Sequence, residues 1–292
     1  MMLFFQFLAN GILIGGLYAL LAMGLVLIYK ATRVFNFALG EMLALGAFLL
    51  YMFMSLVGLP FWLALPCTVC ASMLTGLLVE RLALRPLIGQ PILAAIMATL
   101  ALSLMIKGIV LFIWGSSTVS FPQKVMPSKS LVIGEVFLSN ELTWTFLVSI
   151  AIFLAMLLFF RFTKTGLFMR ATAEGHAVAQ AAGINVETIF AVTWAIAALV
   201  ATAGGIMLGN RFGVGITTLP VMAGKAFPAV LFGGLESIPG ALLGGIMIGI
   251  VESLAAGYID PQLSEIMPYI VLLVVLLIRP EGLFGLRRIE RI

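Results

Sequence analysis

The feature that most constrains this chain is a succession of long apolar runs, at about 3–28, 37–57, 60–80, 91–114, 142–160, 188–209, 216–235, 239–257 and 266–278. A helix that crosses a bilayer needs roughly 20 mostly apolar residues. Hydrocarbon offers the backbone no water, so each segment must satisfy its own N–H and C=O groups, as a helix does. The pattern predicts an all-α, polytopic transmembrane bundle of about eight to nine spans, forming a single domain over 1–292. The run at 216–235 is the least regular, because Pro220, Lys225, Pro228, Gly233 and Gly234 interrupt it. It reads as a broken or re-entrant helix. Residues are 63% hydrophobic and 10% charged, whereas a soluble domain carries about a quarter charged. Residues 1–28 lack a basic n-region and outrun a signal-peptide core, so they read as a spanning helix that is retained.

Charge placement sets the expected orientation. Lys30, Arg33, Arg81, Arg85, Arg161, Lys164, Arg170, Arg279, Arg287, Arg288 and Arg291 fall in alternate loops and at the C-terminus, 11 of the 16 Lys and Arg. Lys124, Lys129 and Arg211 fall on the other side, and Lys107 and Lys225 within spans. Cytoplasmic loops carry the excess of positive charge. The prediction is an inner-membrane protein with its N-terminus outside and its C-terminus cytoplasmic. An external loop then lies at about 115–141 and a cytoplasmic connection at about 161–187. The net charge of +4 is spent on these loops, with no basic stripe for nucleic acid.

Glycines four apart, at Gly11/Gly15, Gly205/Gly209, Gly240/Gly244 and Gly245/Gly249, let helix backbones approach closely. Cys67 and Cys70 have CxxC spacing, but they sit in an apolar helix of a chain with one His and no second ligand pair. They read as small packing residues, and no metal site is expected. Gly224-Lys225 lacks the upstream Gly and the Ser/Thr of a P-loop. No nucleophile–base constellation stands out, so an enzyme is not expected.

Polar residues inside the apolar runs are the functional candidates. A charge at the centre of a spanning helix costs at least ~2.5–3.5 kcal/mol and normally faces the bundle interior or a watery path. Asn36 is placed to cap a helix starting near Phe37, which puts Glu41 about one turn inside; an interfacial cap with a carboxylate near water is the plainer alternative. Lys225 lies mid-span beside helix breakers, a recurring way to build a transport pathway, and Glu41 or Glu252 would offset its charge. A purely structural ion pair is the alternative. Lys107 is close enough to Trp114 to snorkel outward, and Glu80 and Arg81 read as an interfacial anchor. Asn36, Glu41, Lys225 and Glu252 are therefore the expected pathway residues.

In the connection 161–187, the Ala-rich stretch from Gly166 to Asn185 reads as one short helix stopped at Gly183. Its small residues suit docking into another protein's cleft; an ordinary connecting helix is the alternative.

Several segments together carry a family resemblance: Asn36-Phe37-Ala38-Leu39-Gly40-Glu41, Glu80-Arg81-Leu82-Ala83-Leu84-Arg85-Pro86, residues 170–184, and Lys225-Ala226-Phe227 through Gly233-Gly234 to Ile238-Pro239-Gly240. Over nearly its whole length the chain resembles the LivH-type permeases of branched-chain amino-acid ABC importers. The resemblance implies a second permease subunit, two cytoplasmic ATP-binding subunits and an extracytoplasmic substrate-binding protein. It implies no cofactor in this chain, with ATP used by the partners. The segment holding Arg170, Ala173, Glu174, Ala177, Ala181 and Gly183 resembles the loop that couples such permeases to the ATPase. Leu39 stands where many relatives have His, and Glu236 where a small residue is usual. These departures leave urea or amide importers as alternatives, and a proton-coupled secondary transporter as a rival mechanism.

Overall fold

In the computed structural model, residues 2–123, 125–126, 131–133 and 136–285 are described. Lys124, Lys129, Arg287, Arg288 and Arg291, which the charge argument uses, lie outside the described residues. The chain is almost entirely helical: α1 (Met2–Thr32), α2 (Leu39–Tyr51), α3 (Phe61–Val79), α4 (Ile92–Trp114), α5 (Asn140–Phe162), α6 (Lys164–Glu174), α7 (His176–Ala181), α8 (Val186–Phe212), α9 (Thr218–Gly224), α10 (Ala226–Gly233), α11 (Ile238–Tyr258) and α12 (Met267–Ile278). A two-stranded antiparallel hairpin, β1 (Leu131–Ile133) and β2 (Val136–Leu138), sits in the expected external loop. Among the described residues, seven helices are long and apolar enough to cross a membrane, with shorter apolar segments at Thr218–Gly233 and Leu263–Ile278. The break in the former falls at Lys225, between α9 and α10.

The chain packs as two compact units, one of Met1–Val26, Met126–Leu154 and Lys225–Ile292, the other of Leu27–Val125 and Ala155–Gly224. In the first, glycine governs the contacts. A Cβ at Gly249 would lie 2.6 Å from the Gly15 Cα, and one at Gly11 would lie 2.6 Å from the Ile250 Cα. The glycine pairs of α1 and α11 therefore seat backbone on backbone. On another face of α11, a Cβ at Gly244 would meet the Ala229 carbonyl of α10 at 2.1 Å. The last carbonyls of α10 are capped from beyond α12, where the Leu283 N–H donates to Phe232 O at 2.9 Å and the Phe284 N–H to Gly233 O at 3.2 Å. Gly234 (φ 99°) makes the turn that permits this.

In the second unit, α8 is the central post. The buried residues of α3, Ala64, Thr68, Ser72 and Gly76, recur every fourth position and form one narrow small-residue face. A Cβ at Gly76 would lie 2.5 Å from the Trp194 carbonyl of α8. From α2, Gly46 sits against Thr202, and Gly205 of α8 sits against the Leu43 carbonyl, where an added Cβ would lie at 2.1 Å. Buried hydroxyls find acceptors on their own helices, Thr68 on Ala64 O at 2.8 Å and Thr193 on Ile189 O at 2.7 Å. Cys67 and Cys70 are exposed, on the far side of α3 from that small-residue face, so they do not pack inside the bundle as the sequence suggests.

Two local expectations change. The helix after Asn36 starts at Leu39 rather than Phe37. Asn36 closes a turn ahead of it instead of capping it, its Oδ1 accepting the Ala38 N–H at 3.0 Å. Glu80 is not an interfacial anchor. It is fully buried in a π-helical turn, Glu80–Leu84, whose wider winding aligns position i with i+5. Arg85 therefore grips it with two hydrogen bonds, at 3.2 and 3.0 Å, and reaches Glu187 at the start of α8 at 3.2 Å.

Candidate functional site

Within the first unit, three polar side chains meet among apolar helices. Lys225 is the N-cap residue of α10, directly after α9 ends at Gly224. Pro228 is tolerated two residues on from Ala226 because N–H groups in a helix's first turn have no intrahelical acceptor. α11 starts cleanly, with the Ser237 hydroxyl accepting the Gly240 N–H at 3.0 Å. Its glycine faces hold α1 and α10 close enough for their side chains to converge on Glu252. The Lys225 ammonium donates to Glu252 Oε1 at 2.5 Å, and the Tyr18 hydroxyl donates to Oε2 at 2.7 Å. The charged side chains are only 8% and 16% exposed.

Each half of this pair makes the other tolerable. Two desolvated charges in good geometry roughly offset their own burial cost, whereas one left alone is strongly destabilising. Of the two partners the sequence offers for Lys225, the structure supplies Glu252. The Tyr18 contribution was not legible, since one tyrosine in a long apolar helix carries no positional signal. Chemically, an ammonium and a carboxylate side by side are the complement of a zwitterion.

In the second unit, Asn36 is buried and holds the α1–α2 connection, its amide also reaching Met42 Sδ at 3.5 Å. The Phe35 carbonyl accepts from Thr99 of α4 at 3.2 Å. Gly40 packs on Pro220 of α9, with an added Cβ only 2.9 Å from the proline Cα. Glu41 lies in the first turn of α2, where a carboxylate is favoured by the helix dipole. It is half-buried.

The Ala-rich stretch forms two helices rather than one, α6 and α7, broken at an extended Gly175. Thr163 caps α6 by accepting the Gly166 N–H at 3.0 Å. α7 ends in a Schellman motif: Gly183 (φ 82°) donates to Gln180 O at 2.9 Å and Ile184 to Ala179 O at 3.0 Å. The six residues singled out here divide. Arg170 bonds the Phe160 and Arg161 carbonyls at the end of α5, and Ala173 is buried with its carbonyl accepting from Arg33 at 3.1 Å. Glu174, Ala177, Ala181 and Gly183 are exposed, as are Val178 at 74% and Leu167 at 52%. α6 thus anchors the segment and α7 presents an outward face of small and apolar residues.

The family model described as branched-chain amino acid transport system / permease component matches residues 7–276. The chain belongs to this family. It is 31% identical to the high-affinity branched-chain amino acid transport system permease protein LivH of Salmonella typhimurium, over 99% of this chain and 98% of that protein. It is 30% identical to the corresponding permease protein BraD of Pseudomonas aeruginosa, over 99% and 98%. A probable branched-chain amino acid transport permease protein LivH of Methanocaldococcus jannaschii is 30% identical over 95% and 91%.

The chain is accordingly a multi-pass inner-membrane permease and a transport component rather than an enzyme. Among the described residues, no group of three or more His, Cys, Asp or Glu comes together to hold a metal. Two sites in this permease escaped the sequence reading, the Tyr18 hydroxyl on Glu252 and the Arg85 grip on Glu80. A polar residue five positions from a buried carboxylate signals the second only if a π turn is expected.

Proposed function

We propose that this chain is the permease subunit of a binding-protein-dependent ABC importer for branched-chain amino acids, with residues 1–292 acting as one permease domain. The observation that carries the reading is the near-full-length match to permeases named for branched-chain amino acid transport. Those names favour this substrate class over urea or amides. Its partners are a second permease, two ATP-binding subunits that hydrolyse ATP, and an extracytoplasmic binding protein. The Lys and Arg asymmetry supports an N-terminus outside and a cytoplasmic segment at 161–187.

Lys225 and Glu252 suit a pathway role because a zwitterion can exchange with an ion pair, carboxylate to ammonium and ammonium to carboxylate, without leaving either protein charge alone. Asn36 and Glu41 are proposed as pathway residues on their placement at the start of α2. The outward face of α7 suits docking on an ATP-binding subunit, with Glu174, Ala177, Ala181 and Gly183 at the contact and Arg170 and Ala173 holding its base. In proteoliposomes with all subunits, ATP-dependent leucine uptake is the expected result; uptake of urea alone, or uptake without the ATP-binding subunits, would overturn the reading. Ala181→Trp should leave the chain inserted but abolish co-purification of the ATP-binding subunits or uncouple hydrolysis from uptake. Normal docking and transport in that variant would make α7 an ordinary connector.

A further inference from the structure

Beside the start of α7, the second unit holds an open-mouthed cavity of about 230 Å3. A space of this size suits one small metabolite. Its polar lining includes Arg33, Gln90 and His176, and its apolar lining Leu87, Phe190 and Trp194. A small number of polar groups against apolar walls is how sites for small ligands are built.

Arg33 is the informative residue. It follows α1 directly and has φ 58°, the one non-glycine residue with positive φ among those described. Its N–H closes the helix onto Tyr29 O at 2.8 Å, the position where glycine is free of strain. An arginine held there implies that its side chain makes contacts that offset the backbone cost. One such contact is the 3.1 Å bond to the Ala173 carbonyl of α6. On the other side of the break at Gly175, His176 sets its ring edge-on to Phe190 at 5.3 Å. The cavity therefore shares residues with both the anchoring helix contact and the exposed helix of the proposed coupling segment.

We propose that this cavity binds a small branched aliphatic carboxylate, the class to which the transported amino acids belong, and that occupancy restrains α7 and slows import. The sensing role and the branched shape of the ligand rest on the importer reading; a site for a small apolar carboxylate at Arg33 does not. The carboxylate would lie at Arg33 as a charge-assisted contact, Gln90 would accept from an ammonium, and the branched tail would lie along Leu87 and Phe190, beside the fully buried Trp194.

The test uses the full chain in nanodiscs. Of its four tryptophans, Trp62, Trp114 and Trp144 are replaced by Phe so that Trp194 reports alone. L-leucine and 4-methylpentanoate should each change its emission saturably, and isopentylamine, which lacks the carboxylate, should not. Arg33→Asn keeps a residue type that tolerates left-handed backbone and should weaken binding at least about tenfold, the equivalent of one charge-assisted hydrogen bond. Gln90→Phe should obstruct the cavity and abolish the signal. In the assembled importer, leucine preloaded on the cytoplasmic side should slow uptake, and Arg33→Asn should relieve this. No saturable change with either carboxylate in a monodisperse protein, or equal response to isopentylamine, would overturn the site. Binding with no effect of preloaded leucine on an active importer would overturn the sensing role. If the assembled importer moves no leucine, the transport reading fails, and the titration still decides the cavity by itself.

Discussion

α8 and α4 are both long apolar helices of the same unit, yet they live in opposite surroundings. In α8, 72% of the spanning window is buried inside the protein; in α4, 22% is. The exposed helix has the higher mean hydropathy. α4 turns Leu104 (71% exposed) and Phe112 (91%) outward, while α8 buries Ala197, Ala198, Ala201, Thr202, Gly204 and Gly205. A protein in water would reverse this arrangement. Where the surrounding solvent is itself apolar, burying a leucine gains little, and the interior is built from residues that let backbones meet and polar groups find partners. The buried helices should therefore be intolerant of added bulk and lost charge, and the outer helices indifferent to both.

The same substitution at two glycines puts this to its hardest test on the inner side. At Gly205 a Cβ would lie 2.1 Å from the Leu43 carbonyl, a backbone atom that cannot rotate away. Gly205→Leu must separate α2 from α8. The expected loss exceeds the usual ~1–3 kcal/mol of overpacking, and loss of monodisperse protein on size-exclusion chromatography is the readout. Normal yield and thermal stability would show that the α2–α8 seam is not a close backbone contact.

Next in size is the buried charge. Lys225→Met leaves the Glu252 carboxylate bonded by the Tyr18 hydroxyl but without its countercharge, and should cost ~3–5 kcal/mol. Lys225→Met/Glu252→Gln should recover most of that stability, because no uncompensated charge remains. Thermal unfolding of the single and double variants separates stability from transport. A double variant that is stable but inactive in uptake assigns the pair to the pathway, and one that is stable and active makes it structural.

A smaller effect is expected at the Glu80 turn. Arg85 is about one-third exposed, while Glu80 is fully buried. Arg85→Ala therefore orphans a buried carboxylate, and the unfolding midpoint should fall, by less than for Lys225→Met because Arg85 itself is partly open to solvent. Arg85→Lys should restore only part, since an ammonium cannot reproduce the two-pronged grip. Unfolding midpoints of the two variants check both statements.

The helices were legible because lipid sets their length, and each expected span has a helical counterpart. The break at Lys225 was legible because Pro, Gly and Lys crowd together there. What the sequence withheld was the pairing between elements. Gly11/Gly15 and Gly245/Gly249 announce close approach without saying that they meet each other, and Lys225 had two acidic partners on offer. The Gly166–Asn185 stretch reads as one helix because alanine favours helix throughout, yet Gly175 takes an extended conformation and splits it. Glu80 was paired in the sequence with its neighbour Arg81 as an anchor, because Glu80 and Arg85 are not neighbours on an α-helix and become so only in a π turn.

The smallest expected effect belongs to the second glycine of the matched pair. Gly108 lies on α4, and a Cβ there would meet nothing within 4 Å. Among the described residues, no helix needs it to be small. Glycine inside a helix is disfavoured by about 1 kcal/mol relative to good helix formers, so Gly108→Leu should leave the isolated chain unchanged or raise its stability by up to that amount. The prediction is sharper in the assembled importer. If lipid covers this face, the leucine is one more apolar group among Leu104, Ile109 and Phe112, and uptake is unchanged. If the second permease packs there, the leucine meets it, so assembly fails while the isolated chain stays intact. Unfolding of the purified chain beside co-purification of the second permease distinguishes these outcomes. A Gly108→Leu chain that is itself as damaged as Gly205→Leu would break the contrast between the two helices.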